Sequence, residues 1–229
     1  MTYDLPFTRW LIATAQRYAL RAIRQVVTDE RFVRTGTRAS IHISKSLLAA
    51  ETRRMVDSRD GKTVATGMFL EFLFGVGPRT RTFDGGSVVA DYMRNAPGVE
   101  RAREFFYETR AKDYERNKTV PGTLARSPLT EYGAGFGLTG LIQAGVDPIE
   151  QFVGNYVVEI FPDEQGKRMH VVCTNKTGRH SFLYHLPFVY DQERVPGFLP
   201  TPMGNIYQTI QWYELIDDSR FEAHLARTR

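Results

Sequence analysis

The chain has 229 residues, 42% of them hydrophobic and 12% aromatic, which is enough to bury one large core or two small ones and excludes an intrinsically disordered chain. Its single cysteine, Cys173, excludes an intramolecular disulfide and a cysteine-based metal cluster. The formal net charge of +4 hides an asymmetry: residues 1–126 carry 22 Lys or Arg against 14 Asp or Glu, and residues 127–229 carry 8 against 12. A basic half suits an anionic partner such as nucleic acid or acidic lipid, and it is equally the pattern of a solvated arginine-rich surface.

In chain order, Phe7 to Val27 spaces Phe7, Trp10, Leu11, Tyr18, Ala22, Ile23 and Val26 three and four residues apart, which predicts an amphipathic helix. Arg17, Arg21 and Arg24 share its other face, a pattern that suits a membrane surface or a solvated flank. Arg9 and Arg17 break the apolar run that a secretory signal would need, so no signal peptide is expected. Ser44 to Asp57 is a second predicted helix. Thr63 to Phe74 is a third, apolar nearly all round except for Glu71, and must be covered by this chain or by something else. It is too short to span a bilayer. Short helices are predicted at Ser87–Arg94 and Gly98–Arg110, the second with Val99, Ala102, Phe105 and Phe106 on one side.

The glycine- and proline-rich stretch 117–145 reads as a seam between a helical region, 1–126, and a strand-rich region, 127–229, together one cooperative domain. Within it, residues 135–140 fit Gly-x-Gly-x-x-Gly. No hydrophobic strand is expected before it and no βαβ unit around it, so dinucleotide binding is not expected. From Ile149 the period becomes two. Phe152, Gly154, Tyr156, Val158 and Ile160 share one strand face, and Met169, Val171 and Cys173 share the next, joined across Asp163–Gly166. Ile206, Gln208, Ile210 and Trp212 share a face of the last strand, and Asp217–Arg229 reads as a short surface helix or frayed tail. The expected fold class is α+β, a helical N-terminal part packed with a small C-terminal antiparallel sheet.

Chemistry-bearing residues gather in the last third. In a strand from Ser181, Tyr184 and His185 point to opposite faces, so one pocket can use only one of them. His185 suits a general acid or base; a histidine satisfied by a backbone carbonyl is the competing reading. Asp191, Glu193 and Arg194 follow in a loop bounded by Pro187 and Pro196, where a carboxylate could orient His185 and Arg194 could grip a phosphate. Asn205 and Gln208 stand in an otherwise apolar strand, where amides either hold a neighbouring loop or read a ligand. Met203-Gly204 marks a bend where the backbone approaches another element. His170, His180 and His185 match no metal-ligand spacing, so no cofactor is assigned, although a divalent metal assembled by the fold stays open.

The order of these segments, Phe152–Phe161, Arg168–Asn175, Ser181–Pro187 and Pro202–Gln208, resembles the C-terminal toxin domains of bacterial polymorphic, Rhs-type secreted proteins, over roughly Leu70 to Leu215. The resemblance implies an antibacterial toxin or effector, secreted or delivered into target bacteria, with a cognate immunity protein as partner. It raises interest in His185, Arg194, Asn205 and Gln208. The expected reaction is hydrolysis of a phosphate-containing target, preferably a lipid-linked cell-envelope precursor at a membrane surface. His185, Asp191 and Arg194 would be catalytic, and Tyr184, Asn205 and Gln208 would bind substrate. A nuclease, a membrane-disrupting toxin using Phe7–Val27 and Thr63–Gly75, and a non-enzymatic interaction module are the alternatives.

Overall fold

A computed structural model describes residues 37–134, 148–178, 193 and 203–228. The predicted Phe7–Val27 helix and the Gly-x-Gly-x-x-Gly stretch lie outside these residues. The described chain runs α1 (Thr37–Val56), α2 (Gly61–Phe74), β1 (Thr80–Phe83), α3 (Val88–Arg94), α4 (Pro97–Asn117), β2 (Thr130–Ala134), α5 (Pro148–Val153), β3 (Tyr156–Pro162), β4 (Arg168–Thr177), β5 (Ile206–Leu215) and α6 (Asp218–Thr228). This is an α+β fold. Its described residues form two compact units: residues 37–79, 148–152, 177–178, 193 and 203–206 make the first, and residues 80–134, 153–176 and 207–228 the second.

The first unit is built on α1 and α2. Asp60 caps α2, its carboxylate accepting from the Thr63 backbone N–H at 2.8 Å and from the Thr63 hydroxyl at 2.7 Å. These bonds, the side-chain one first, hold the Asp60 carboxyl below its ordinary range. The apolar run is buried in the folded chain, as Val64, Met68, Leu70 and Phe72 show. The two helices touch at Gly67, where a Cβ would fall 2.8 Å from Met55 Cβ and 3.0 Å from Thr52 O. Only a residue without a side chain allows that approach. Helix α1 begins earlier than the apolar spacing indicated, because a helix's first turns need no apolar side chains of their own. Among the described residues no helix is long and apolar enough to cross a membrane.

The second unit is a five-stranded sheet in the order β1-β5-β4-β3-β2. β2–β3 and β3–β4 are antiparallel, with Val158 opposite both Tyr132 and Cys173. Asn175 meets Gln208 and His170 meets Tyr213, contacts that advance in opposite directions, so β4 and β5 are antiparallel too. The expected wholly antiparallel sheet is corrected at one edge: β1 pairs parallel with β5, Thr80 opposite Tyr207 and Phe83 opposite Ile210. The sequence Thr-Arg-Thr-Phe is too short and too charged to announce a strand.

The β3–β4 hairpin forms as its turn residues predicted. Asp163 N–H donates to Arg168 O, and the Asp163 carboxylate accepts from the Lys167 N–H, both at 2.8 Å. Two boundaries differ from expectation. Phe152 belongs to α5 rather than to the strand, because Gly154 turns the chain at φ 71° and Tyr156 opens β3. A strand, β2, does precede the Gly-x-Gly-x-x-Gly stretch, but its neighbour is the antiparallel β3, as no dinucleotide-binding βαβ unit would have it.

One face of the sheet is apolar. Tyr156, Val158, Ile160, Met169, Val171, Cys173, Ile210 and Trp212 are all buried, together with Val99, Ala102 and Phe106 of α4. Ser87 caps α3, accepting from Ala90 N–H at 3.2 Å, and Pro97 opens α4. Phe105 departs from the predicted apolar side. It is exposed, with its ring 5.8 Å from Tyr132, since it sits one position around the helix from the buried Phe106.

Arg103 of α4 is the buried charge of this unit. Its Nε and Nη2 donate to Glu214 of β5 at 2.7 and 2.9 Å, its Nη1 to Glu100 at 2.8 Å, and its Nη2 also to Arg94 O at 2.8 Å. Trp212 Nε1 donates to the same Glu214 at 2.8 Å. Glu100 in turn pairs with Arg220 of α6 at 2.9 Å, and Arg220 and His224 both meet Glu104.

Helix α6 is not a frayed tail. Phe221 is fully buried, stacked 4.4 Å from the Tyr114 ring and packed 4.8 and 5.5 Å from Tyr107 and Phe106. An isolated helix of this length is marginal in water, so this docking holds it. Phe221→Ala is expected to cost about 3–5 kcal/mol, read as a lower denaturant midpoint with an unchanged slope. Burial pushes the Cys173 thiol up to about 12. Iodoacetamide at pH 8 is therefore expected to label Cys173 only after unfolding; rapid labelling of the native chain would contradict its burial.

Candidate functional site

Arg79 and Asn205, both in the first unit, immediately precede β1 and β5 in the sequence. Glu193 joins them within the first unit. Its backbone forms a parallel bridge with Asn205. One carboxylate oxygen, Oε1, accepts from Asn205 Nδ2 at 2.7 Å, and the other, Oε2, meets Arg79 Nη2 at 2.7 Å. The result is a guanidinium, a carboxylate and an amide held in one line.

The three groups differ in exposure. Asn205 is buried at 2% relative exposure, while the Arg79 and Glu193 side chains are 54% and 47% exposed. The amide is thus the fixed base of the junction and the ion pair its wet rim, worth little to stability alone. A carboxylate only accepts, so Glu193 forces the Asn205 Nδ2 toward itself and turns Oδ1 the other way. Oδ1 is buried there with no hydrogen-bond partner among the described residues. A buried acceptor left unmatched costs about 1–3 kcal/mol, so such an atom calls for a donor from elsewhere.

The bend expected at Met203-Gly204 is present and strained. Met203 has φ 54°, the left-handed region that side chains avoid, at a cost of about 1–2 kcal/mol. Its N–H donates to Phe72 O at 2.8 Å, at the end of α2. That bond pins the segment leading to Asn205 against the helix. One residue before Phe72, the Glu71 carboxylate is buried in this otherwise apolar helix. A Cβ on Gly77 would lie 2.5 Å from the Glu71 carboxyl, so the Gly77 backbone closes over it. The first unit therefore gathers Glu71, Arg79, Glu193 and Asn205 around the end of α2 and the loop after it.

Of the residues singled out from sequence, Tyr184, His185, Asp191 and Arg194 lie outside the described residues. Asn205 holds the loop residue Glu193, as one of its two readings required. Gln208 sits in the second unit, buried in β5, and its Oε1 accepts from Asn175 Nδ2 at 3.0 Å. The two form a cross-strand pair of amides inside the sheet. His170 is stacked on Tyr213 at 4.4 Å. Among the described residues no cluster of three His, Cys, Asp or Glu side chains could hold a metal ion.

Sequence reasoning missed Arg79 and Glu71. Arg79 gave no signal, because the strand it leads into was not foreseen. Glu71 gave one: it is the lone charge in a buried apolar run, and a buried carboxylate must be held by something. No family model matches this chain, and neither a curated protein nor a solved structure matches it.

Replacing Asn205 by Asp sets a buried carboxylate against Glu193. The added carboxyl is expected to titrate above its ordinary range, through burial and like charge. Asn205→Asp should therefore be less stable than the parent at neutral pH and recover part of the loss as pH falls toward 4, read as the difference in melting temperature. A pH-independent difference would mean that Glu193 does not face this position.

Proposed function

We propose that this chain is an antibacterial toxin or effector domain that hydrolyses a phosphate-containing target. The order of residues in the last third suggests the role. The observation that supports the chemistry is the Glu193 junction: Glu193, which stands between Asp191 and Arg194 in the sequence, meets a buried amide and Arg79. Loops that carry chemistry work when a rigid element fixes them, and a strained bend beside the anchor is a common companion of such sites.

In this proposal His185 takes a proton from water as the water oxygen attacks phosphorus. Asp191 orients the imidazole and stabilises the imidazolium. Arg194 balances negative charge on the phosphoryl oxygens while the bond from phosphorus to the leaving oxygen breaks, and His185 returns its proton to that oxygen. Arg79 adds a second guanidinium at the rim.

The choice between an envelope precursor and a nucleic acid shifts with the fold. The apolar run at Thr63–Phe74 was one argument for a membrane surface, and its side chains are buried in the folded chain, which weakens that argument.

The test is growth of a bacterial host expressing the chain in cytoplasm or in periplasm, beside His185→Ala and Arg194→Ala at equal abundance. The expected result is growth arrest in one compartment, lost in both variants. Arrest that survives both substitutions would overturn the catalytic assignment, and the absence of arrest in either compartment would overturn the toxin reading.

A further inference from the structure

The second unit buries one face of its sheet under α4 and α6 and leaves aromatic side chains on the other. On that outer face the β3–β4 and β4–β5 contacts align Phe161, His170 and Tyr213 in one row across three adjacent strands. Phe161 is 41% exposed and Tyr213 58%. Tyr213 and His170 stack at 4.4 Å with planes 12° apart, while Phe161 stands 6.1 Å from His170 and tilted by 37°. The row is thus closed at one end and wedge-shaped at the other. The Arg168 guanidinium lies over the Tyr213 ring at 5.0 Å, with Leu215 75% exposed on the same face of β5. Lys167 and Arg168 are both exposed beside the row.

Large rings left in water on a sheet, with cations at their border, match a ligand that has flat faces and regularly spaced negative charges. We infer that this face binds single-stranded nucleic acid, bases stacking on the Phe161–His170–Tyr213 row and phosphates meeting Arg168 and Lys167. A duplex fits poorly, because its bases are already stacked on one another. The positive charge available to a polyanion here is local, supplied by the exposed Lys167 and Arg168, since residues 127–229 carry 8 Lys or Arg against 12 Asp or Glu.

The acidic groups nearby bound the footprint. The Asp163 carboxylate already accepts from the Lys167 N–H, and Glu164 sits in the hairpin turn. Glu159 and Glu131 face each other in the next row of the sheet, and their charge stops the strand from spreading toward β2. This inference does not depend on the hydrolytic reading, but if both hold, the phosphate target is a nucleic acid.

The test uses the full chain carrying His185→Ala, so that cleavage does not enter. Fluorescence anisotropy would follow a labelled oligonucleotide of about 12 nucleotides, single-stranded or as a duplex. The expected result is preference for the single strand, weakened about tenfold by Tyr213→Ala and by Phe161→Ala and retained in Tyr213→Phe. Arg168→Gln should lower the slope of log affinity against log salt by about one. Both rings are exposed, so melting temperatures near the parent's are expected to confirm folding. No binding, binding indifferent to the ring substitutions, or preference for the duplex would each overturn the inference. Failure here leaves the growth test of His185 and Arg194 untouched, and failure of that test leaves this binding standing.

Discussion

Arg103 is the residue on which the second unit depends. A guanidinium cannot lose its charge, so burying one is tolerable only when it is paired with opposite charge and hydrogen-bonded. Its partners come from three places: the carbonyl that ends α3, a carboxylate one turn back on α4, and Glu214 near the end of β5. Each is correctly placed only when its own element is in register. Glu214 also takes the Trp212 indole N–H, so the largest side chain of the core is oriented by the same carboxylate. Through Glu100 and Arg220 the arrangement reaches α6, where Phe221 completes the packing. The hydrophobic side chains supply the drive to collapse, and the ion network selects one arrangement of helices and strands from the many that would bury similar area.

The first unit uses polar groups differently. The apolar α2 contributes much of its core, and one group of its polar residues lies at the end of that helix and in the loop beyond it. Glu71 is enclosed, Asn205 is enclosed with one acceptor unmatched, and Arg79 and Glu193 open to solvent. Network and junction thus stand in contrast. Arg103 has four of its five N–H donors answered and behaves as scaffold. Asn205 has one oxygen unanswered beside a strained backbone, the combination that proteins keep where something else is to be bound.

Much of the fold was legible because it rests on local periodicity. The two-residue alternation of Tyr156–Ile160, Met169–Cys173 and Ile206–Trp212 named the buried face of three strands, and Asp163–Gly166 named their hairpin. The apolar run at 63–74 named α2. What failed had no local signature. β1 is four residues with an arginine in it and exists only because β5 lies alongside. β2 hides in a stretch whose glycines and prolines argue for a seam. Phe221 read as part of a surface tail because its three aromatic neighbours are more than a hundred residues away in the chain. The site was legible in part for the same reason. Asn205, Glu193 and the Met203 bend stand out as polar or irregular residues in apolar surroundings, whereas Arg79 acquires its place only from a strand pairing that periodicity does not reveal.

The pairing of β1 with β5 also orders events in time. All of α3, α4, β2, β3 and β4 lie between those two strands in sequence, and β5 stands inside the sheet with β1 on one side and β4 on the other. While the chain is being synthesised, the β3–β4 hairpin can form as soon as it leaves the ribosome, but β1 waits with an unpaired edge and Arg103 without its carboxylate. The sheet closes only after Leu215 has emerged, and closing so long a loop is slow.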